Sequence, residues 1–251
     1  SALVGSLERR ITELSVAVED LKEKEIRYSG AEWFQNIKNS VITIIGAGGI
    51  SSWTGAILSK MGAKLVIFDD DIYEPTNLAG QLCLLSHLGW KKATALTDLC
   101  TKLGGSSIVA RTERFTQSSN TGPICIVGVD NMETRQIALN KWYKDFGHFE
   151  NALFIDGRLE AEIYQIYCIP GGPFVGHYVE QYLKEWVPST AIPDAACSFK
   201  QTSYMAAGIG SRIAEIVAAF LTPPDSVPRF IPFMIEHTPY GEFIRNYPSN
   251  T

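Results

Sequence analysis

Leu7, Ile11, Leu14, Val18 and Leu21 recur at alternating spacings of four and three, with Glu8, Arg9, Arg10, Glu13, Glu19 and Asp20 between them. That spacing lays the apolar side chains along one stripe and predicts a helix over 7–26. The stripe packs either on its own domain or against a second subunit. The pattern then changes. Val41-Ile42-Thr43-Ile44-Ile45 is a near-continuous β-branched run, which reads as a strand buried on both faces, as in a parallel sheet. A glycine turn, Gly46-Ala47-Gly48-Gly49, follows directly, then a helix through Ala56, Ile57, Leu58 and Met61. Lys64-Leu65-Val66-Ile67-Phe68 makes a second strand that ends at Asp69-Asp70-Asp71.

The alternation continues with a helix from Leu88 to Leu103 and strands at Ser107–Ala110 and Ile124–Val129, the latter ending at Asp130-Asn131. Thr134 to Tyr143 reads as a helix, Leu153–Ile155 as a strand and Ile163–Ile169 as a further, antiparallel strand. Residues 170–200 carry Pro170, Pro173, Pro188 and Pro193 among glycines and aromatics, the pattern of a long irregular connection. Thr202 to Leu221 is an apolar helix rich in small residues, and the tail from Pro223 mixes prolines and aromatics. The expected fold is α/β: a doubly wound, Rossmann-like, mostly parallel sheet with an N-terminal helix and a C-terminal antiparallel or irregular extension. The expected organisation is a helical segment over 1–40 and a nucleotide-binding domain over 41–251.

Composition narrows the function. The chain has 251 residues, 45% of them hydrophobic and 20% charged, enough to bury a sizeable core. The net charge of −5 and pI of about 5.4 speak against a nucleic-acid partner. No apolar run approaches a bilayer span, and no secretory leader is visible, so a cytoplasmic location is expected. The cysteines, Cys83, Cys100, Cys125, Cys168 and Cys197, form no CxxC, so neither a disulfide framework nor a thiolate zinc site is expected.

A glycine turn between a strand and a helix lets backbone N–H groups approach phosphates. Gly46, Gly48 and Gly49 suit that role, with Ser51 where a third glycine often stands. Asp69, at the end of the second strand, is placed to bind ribose hydroxyls. The turn alone does not say which nucleotide is bound.

Four blocks in order do. Gly46-Ala47-Gly48-Gly49-Ile50, the run from Ile67 through Asp69-Asp70-Asp71 to Asn77-Leu78-Ala79-Gly80-Gln81, then Gly89-Trp90-Lys91-Lys92, then Asp130-Asn131 through Arg135 together resemble the superfamily of ubiquitin-activating enzymes and bacterial sulfur-carrier-protein adenylyltransferases of the ThiF and MoeB type. The resemblance runs from about Arg27 to about Leu221. It implies ATP and Mg²⁺ as cofactors, with phosphate on Gly46, Gly48 and Gly49 and ribose on Asp69. It further implies Asp71, Asn77, Gln81 and Asn131 as nucleotide-site residues, Lys92 as the phosphate-contacting lysine and Asp130 as the magnesium ligand. The implied activity is adenylation of the C-terminal carboxylate of a ubiquitin-like protein, a sulfur carrier or a peptide, by a homodimer.

Two positions depart from the family pattern. Its two nucleotide-site arginines are replaced here by Gly30 and Gly80, which leaves Arg27, Lys91 and Arg158 as candidate substitutes. Cys197 stands near the position of the acyl-accepting cysteine of some members, and a loop thiol beside a helix N-terminus is a better nucleophile. The other cysteines are expected inside strands or helices. The histidines, His87, His148, His177 and His237, lack metal spacing and read as surface or capping residues. Tyr164, Tyr167, Phe174, Tyr178, Tyr182 and Trp186 are either core or a surface for a partner's tail. Two rival functions share the same opening: a non-catalytic partner subunit and an NAD(P)-dependent oxidoreductase.

Overall fold

The computed structural model describes residues 6, 10, 25–105, 107–186, 201–223 and 230–246. A short helix α1 (Phe34–Asn39) buries Phe34 and Ile37 and leads into β1 (Val41–Ile45). The glycine turn opens α2 (Gly49–Lys60), followed by β2 (Lys64–Phe68), α3 (Lys92–Lys102), β3 (Ile108–Arg111) and β4 (Ile124–Val127). Then come α4 (Met132–Phe146), β5 (Leu153–Glu160), β6 (Ile163–Pro170), α5 (Val175–Lys184), α6 (Ser203–Phe220), β7 (Met234–Thr238) and β8 (Gly241–Arg245).

The strands form one sheet in the order β3-β2-β1-β4-β5-β6-β7-β8. Pairing is parallel from β3 to β5, with Ile45 opposite both Phe68 and Val127, and antiparallel from β5 to β8. The strand order reverses at β1, so a crevice opens between the C-terminal ends of β1 and β4, where ligands of open α/β sheets bind.

Each sheet face buries its own cluster. On one, Ile42, Ile44, Leu65, Ile67 and Ile155 meet Leu58 of α2, Leu96 of α3 and Ile209 and Ile213 of α6. On the other, Ile45, Cys125, Val127 and Phe154 meet Leu139 and Trp142 of α4 and Tyr182 of α5. Because both faces are covered, β4 is buried at every position, which is why its sequence is an unbroken apolar run rather than an alternation.

The doubly wound architecture and its antiparallel extension are as expected, with two local differences. The stretch 170–200, read as irregular, contains α5, which buries Val175 and Tyr182; residues 187–200 lie outside the described residues. The tail holds the hairpin β7–β8, whose second strand is exposed throughout. Of the helix expected over 7–26, the described residues are Arg10, Glu25 and Ile26, each helical.

Close approach of α6 to α2 depends on Gly210. A Cβ there would stand 2.7 Å from Trp53 Cβ and 2.9 Å from the Thr54 backbone nitrogen, whereas one at Gly208 meets nothing nearer than 3.6 Å. Gly210→Ala is therefore expected to cost about 1–3 kcal/mol, seen as a lower urea midpoint with unchanged slope. Gly208→Ala, gaining helix propensity without a clash, should be neutral or stabilising by up to ~1 kcal/mol.

Candidate functional site

The glycine turn lies at the reversal point. Gly46 has φ 90°, a left-handed conformation that glycine adopts without penalty, and a Cβ there would stand 2.9 Å from Val129 Cγ1. Gly48 precedes α2 with no side-chain cap, leaving the first-turn amides to backbone, water or ligand. Ser51, in that first turn, is fully buried, and its Oγ has no hydrogen-bond partner. The position it fills is open because residue 128 is glycine: a Cβ on Gly128 would come within 2.5 Å of Ser51 Oγ.

The second strand delivers the acids. Asp69 Oδ2 accepts the Ala47 N–H at 2.6 Å and Oδ1 accepts the Asp71 N–H at 2.8 Å. Burial nevertheless raises its proton affinity above the ordinary carboxylate, because desolvation outweighs those amide bonds and nearby Lys92. Lys92 begins α3 and is nearly buried; its Nζ donates to Asp71 Oδ2 at 3.2 Å, and Asp71 itself is largely exposed. One ligand oxygen from each of Asp69, Asp70 and Asp71 lies within 4.8 Å of the others, and Asp130 stands outside that group.

The segment after β2 is sewn onto α2. The Leu82 N–H donates to Ser52 Oγ at 2.9 Å and Trp53 Nε1 donates to the Gly80 carbonyl at 3.3 Å. This seats Gln81 beside the helix start, where its Oε1 is buried without a partner. Asn77 Oδ1 accepts the Glu74 N–H at 3.0 Å, so part of this side chain closes its own turn. The two glycines at which the resemblance expects arginine differ physically. Around Gly30 a Cβ would meet nothing within 4 Å, while at Gly80 it would stand 2.8 Å from Gln201 Cγ.

Across the crevice, Asp130 is exposed, and its Oδ1 accepts from Asn131 Nδ2 at 3.5 Å. Asn131 Oδ1 caps α4 by accepting the Thr134 N–H at 2.8 Å. Arg135 donates from Nη2 to the Val129 carbonyl, and from Nη1 to Asp156 and, at 2.9 Å, to the Gly157 carbonyl. Asp156 is wholly buried and also accepts from Arg158 Nε at 2.8 Å and Tyr182 Oη at 2.7 Å. Burial pushes the Arg135 guanidinium down to about 10.

The structure thus brings Gly46, Gly48, Gly49, Asp69, Asp71, Lys92 and Gln81 together around the C-terminal ends of β1 and β2, while the contacts of Asn77 stay within its own turn. Asp130 and Asn131 follow β4, next along the sheet. Cys197 lies outside the described residues. Of the candidate substitute cations, Arg158 is committed to Asp156 and stacked over Tyr167, Lys91 donates to the Asp70 carbonyl at 2.5 Å, and Arg27 is exposed.

Cys83, expected in a regular element, sits between two short 3₁₀ turns, and burial raises its thiol. Burial also raises Cys125, Cys100 to about 11 and Cys168 to about 12, so all four stay protonated at neutral pH. His87, read as surface or capping, does both less and more. It is buried, its Nδ1 accepts the Leu84 N–H at 3.3 Å, and its Nε2 faces Asp98 at 2.9 Å. The aromatic stretch splits, with Tyr164, Tyr167 and Tyr182 buried and Phe174 exposed.

The ThiF family profile matches residues 21–157, just over half of the chain. This chain belongs to the ThiF family. It is similar to tRNA threonylcarbamoyladenosine dehydratase 1 of Saccharomyces cerevisiae, at 29% identity over 120 residues that cover 43% of this chain and 28% of that protein. Among solved structures it matches Escherichia coli MccB with ATP at a TM-score of 0.62 and 16% identity, over 86% of this chain and 66% of MccB. It matches PaaA at 0.66 and 14%, over 94% and 73% of the two chains. At these identities the likeness to MccB and PaaA establishes a shared fold.

Two expectations follow for this ThiF-family site. Gly128→Ala should be destabilising because its methyl group meets Ser51 Oγ, and Ser51→Gly in the same chain should recover most of the loss; a double-mutant cycle in urea measures the coupling. Asp69 binds its proton more tightly folded than unfolded. Its contribution therefore favours folding at low pH and is lost as pH rises from the ordinary 3.8 through the higher folded value. Carbon-detected NMR titration should place the Asp69 midpoint above 3.8; a midpoint at or below it would mean that the two amide bonds outweigh burial.

Proposed function

We propose that this chain uses ATP and Mg²⁺ to adenylate the C-terminal carboxylate of a ubiquitin-like protein, a sulfur carrier or a peptide. The observation that carries this reading is the placement of an uncapped glycine turn, Asp69, Lys92 and Asp130 around the C-terminal ends of the neighbouring strands β2, β1 and β4. Ser51 Oγ and Gln81 Oε1 are buried near the same helix start without protein partners. ThiF family membership supports the same chemistry, and MccB has been solved with ATP and with AMPCPP and MccA. The yeast relative is named for a tRNA nucleoside, but a net charge of −5 disfavours a tRNA substrate here.

In this reading the first-turn amides of α2 receive phosphate oxygens and Asp69 accepts ribose hydroxyls. Lys92, released from Asp71, places its ammonium on a phosphate. Mg²⁺ supplies a compact double charge that neutralises the polyphosphate. Asp130 is the fitting ligand, since its hard carboxylate is exposed and carries one 3.5 Å contact. The acceptor carboxylate oxygen attacks the α-phosphorus and forms the mixed anhydride. The bond from that phosphorus to the bridging oxygen breaks, and pyrophosphate leaves with the electron pair. Cys197 is the candidate for a second step, in which its thiolate attacks the acyl carbon and AMP leaves. A homodimer in the cytoplasm is part of the same proposal, as is the division into a helical segment over 1–40 and an ATP-binding domain over 41–251.

Isothermal titration with Mg-ATP, run beside NADH, tests the reading. Wild type should bind Mg-ATP, Asp130→Ala should abolish the magnesium dependence, and Lys92→Ala should weaken binding on the order of tenfold or more. Silence from both nucleotides would favour the non-catalytic partner subunit, and NADH binding alone would favour the oxidoreductase.

A further inference from the structure

Gln201 reaches the glycine turn from the far side of the chain. A Cβ added at Gly49 would run into its Oε1 and stand 2.9 Å from its Cδ; one added at Gly80 would stand 2.9 Å from Cδ and 3.0 Å from Nε2. The carboxamide therefore lies between the first residue of α2 and the segment sewn onto it, in space that a side chain at either glycine would contest. Its backbone is tied by a parallel bridge to Ala161, in the β5–β6 turn where Ala161 holds φ 51°. The side chain is thus delivered from a fixed point. Near the same helix start are the two polar atoms without partners, Ser51 Oγ on a fully buried residue and Gln81 Oε1.

We propose that Gln201 belongs to the phosphate seat and donates an Nε2–H to a phosphate oxygen of the nucleotide; this rests on the nucleotide reading above. A carboxamide carries an acceptor at one end and two donors at the other, and rotation about its terminal torsion exchanges them with little change of shape. The oxygen end is the nearer to Gly49, at the positive end of α2. Opposite a phosphate, the nitrogen end is the one attracted. Gln201 thereby gives the seat a directional donor without adding charge, in the volume that any side chain at residue 80 would claim.

Gln201→Glu keeps the shape and replaces the donor with an anion, while Gln201→Leu keeps bulk and removes the donor. The full chain and both variants are titrated with Mg-ATP and with adenosine, after urea midpoints confirm that all three fold alike. The ratio of ATP to adenosine affinity should fall on the order of tenfold or more in Gln201→Glu and by less in Gln201→Leu. Equal losses for both ligands would overturn the proposal, because a structural role moves them together. Tighter Mg-ATP binding by Gln201→Leu would also overturn it, making Gln201 a competitor for the seat. Wild-type binding with an unchanged ratio in both variants removes Gln201 alone, whereas a wild type that binds neither ligand removes the nucleotide reading and this proposal with it.

Discussion

A carboxylate sealed inside an α/β sheet must be compensated from several directions, and Asp156 is that group here. With none of its surface in water, its desolvation is offset by Arg135, Arg158 and Tyr182, drawn from α4, β5 and α5. Losing one partner of such a buried pair costs about 3–5 kcal/mol, because the other charge is then left uncompensated. Arg135 does more than neutralise. By donating to the carbonyls of Val129 and Gly157, it joins the loop after β4 to β5. Asp130 is the next residue, so the backbone that carries the candidate metal ligand is anchored by the same arginine whose charge the Asp130 carboxylate feels.

On the other side of the crevice the controlling feature is the absence of side chains. Gly46 supplies a backbone turn, Gly128 makes room for the Ser51 hydroxyl, and Gly49 and Gly80 make room for a carboxamide. The result is a surface of backbone amides and small polar groups bordered by Asp69, Asp70 and Asp71, with Lys92 paired to Asp71. Geometry rather than abundant positive charge is what this surface offers an anionic ligand.

The parts legible in the sequence are those whose signal is local. Each of β1, β2 and β4 is covered on both faces and so appears as an apolar run, and the glycine turn, Asp69 and Lys92 sit at element ends that those runs define. The hairpin β7–β8 was not legible because every residue of β8 is exposed, so burial imposes no alternation on it. Helix α5 was hidden among prolines and aromatics, and it buries only Val175 and Tyr182. The Arg135–Asp156 pair and the seating of Gln201 are long-range contacts. Nothing in the residues next to Gln201 announces Gly49 or Gly80; two glycines distant from it in sequence are the only trace. Cys83 illustrates the opposite error, an apolar neighbourhood mistaken for a regular element.

The meeting of Gly49, Gly80 and Gln201 has a historical consequence. A larger residue at 80 or 49 obliges the Gln201 carboxamide, the far end of a flexible side chain, to swing aside, so such a change is felt in where the carboxamide rests rather than in whether the chain folds. Gly30 meets open space, and a side chain there displaces nothing. Of the two positions where the resemblance expects arginine, one can be filled without moving a neighbour and the other only by moving Gln201.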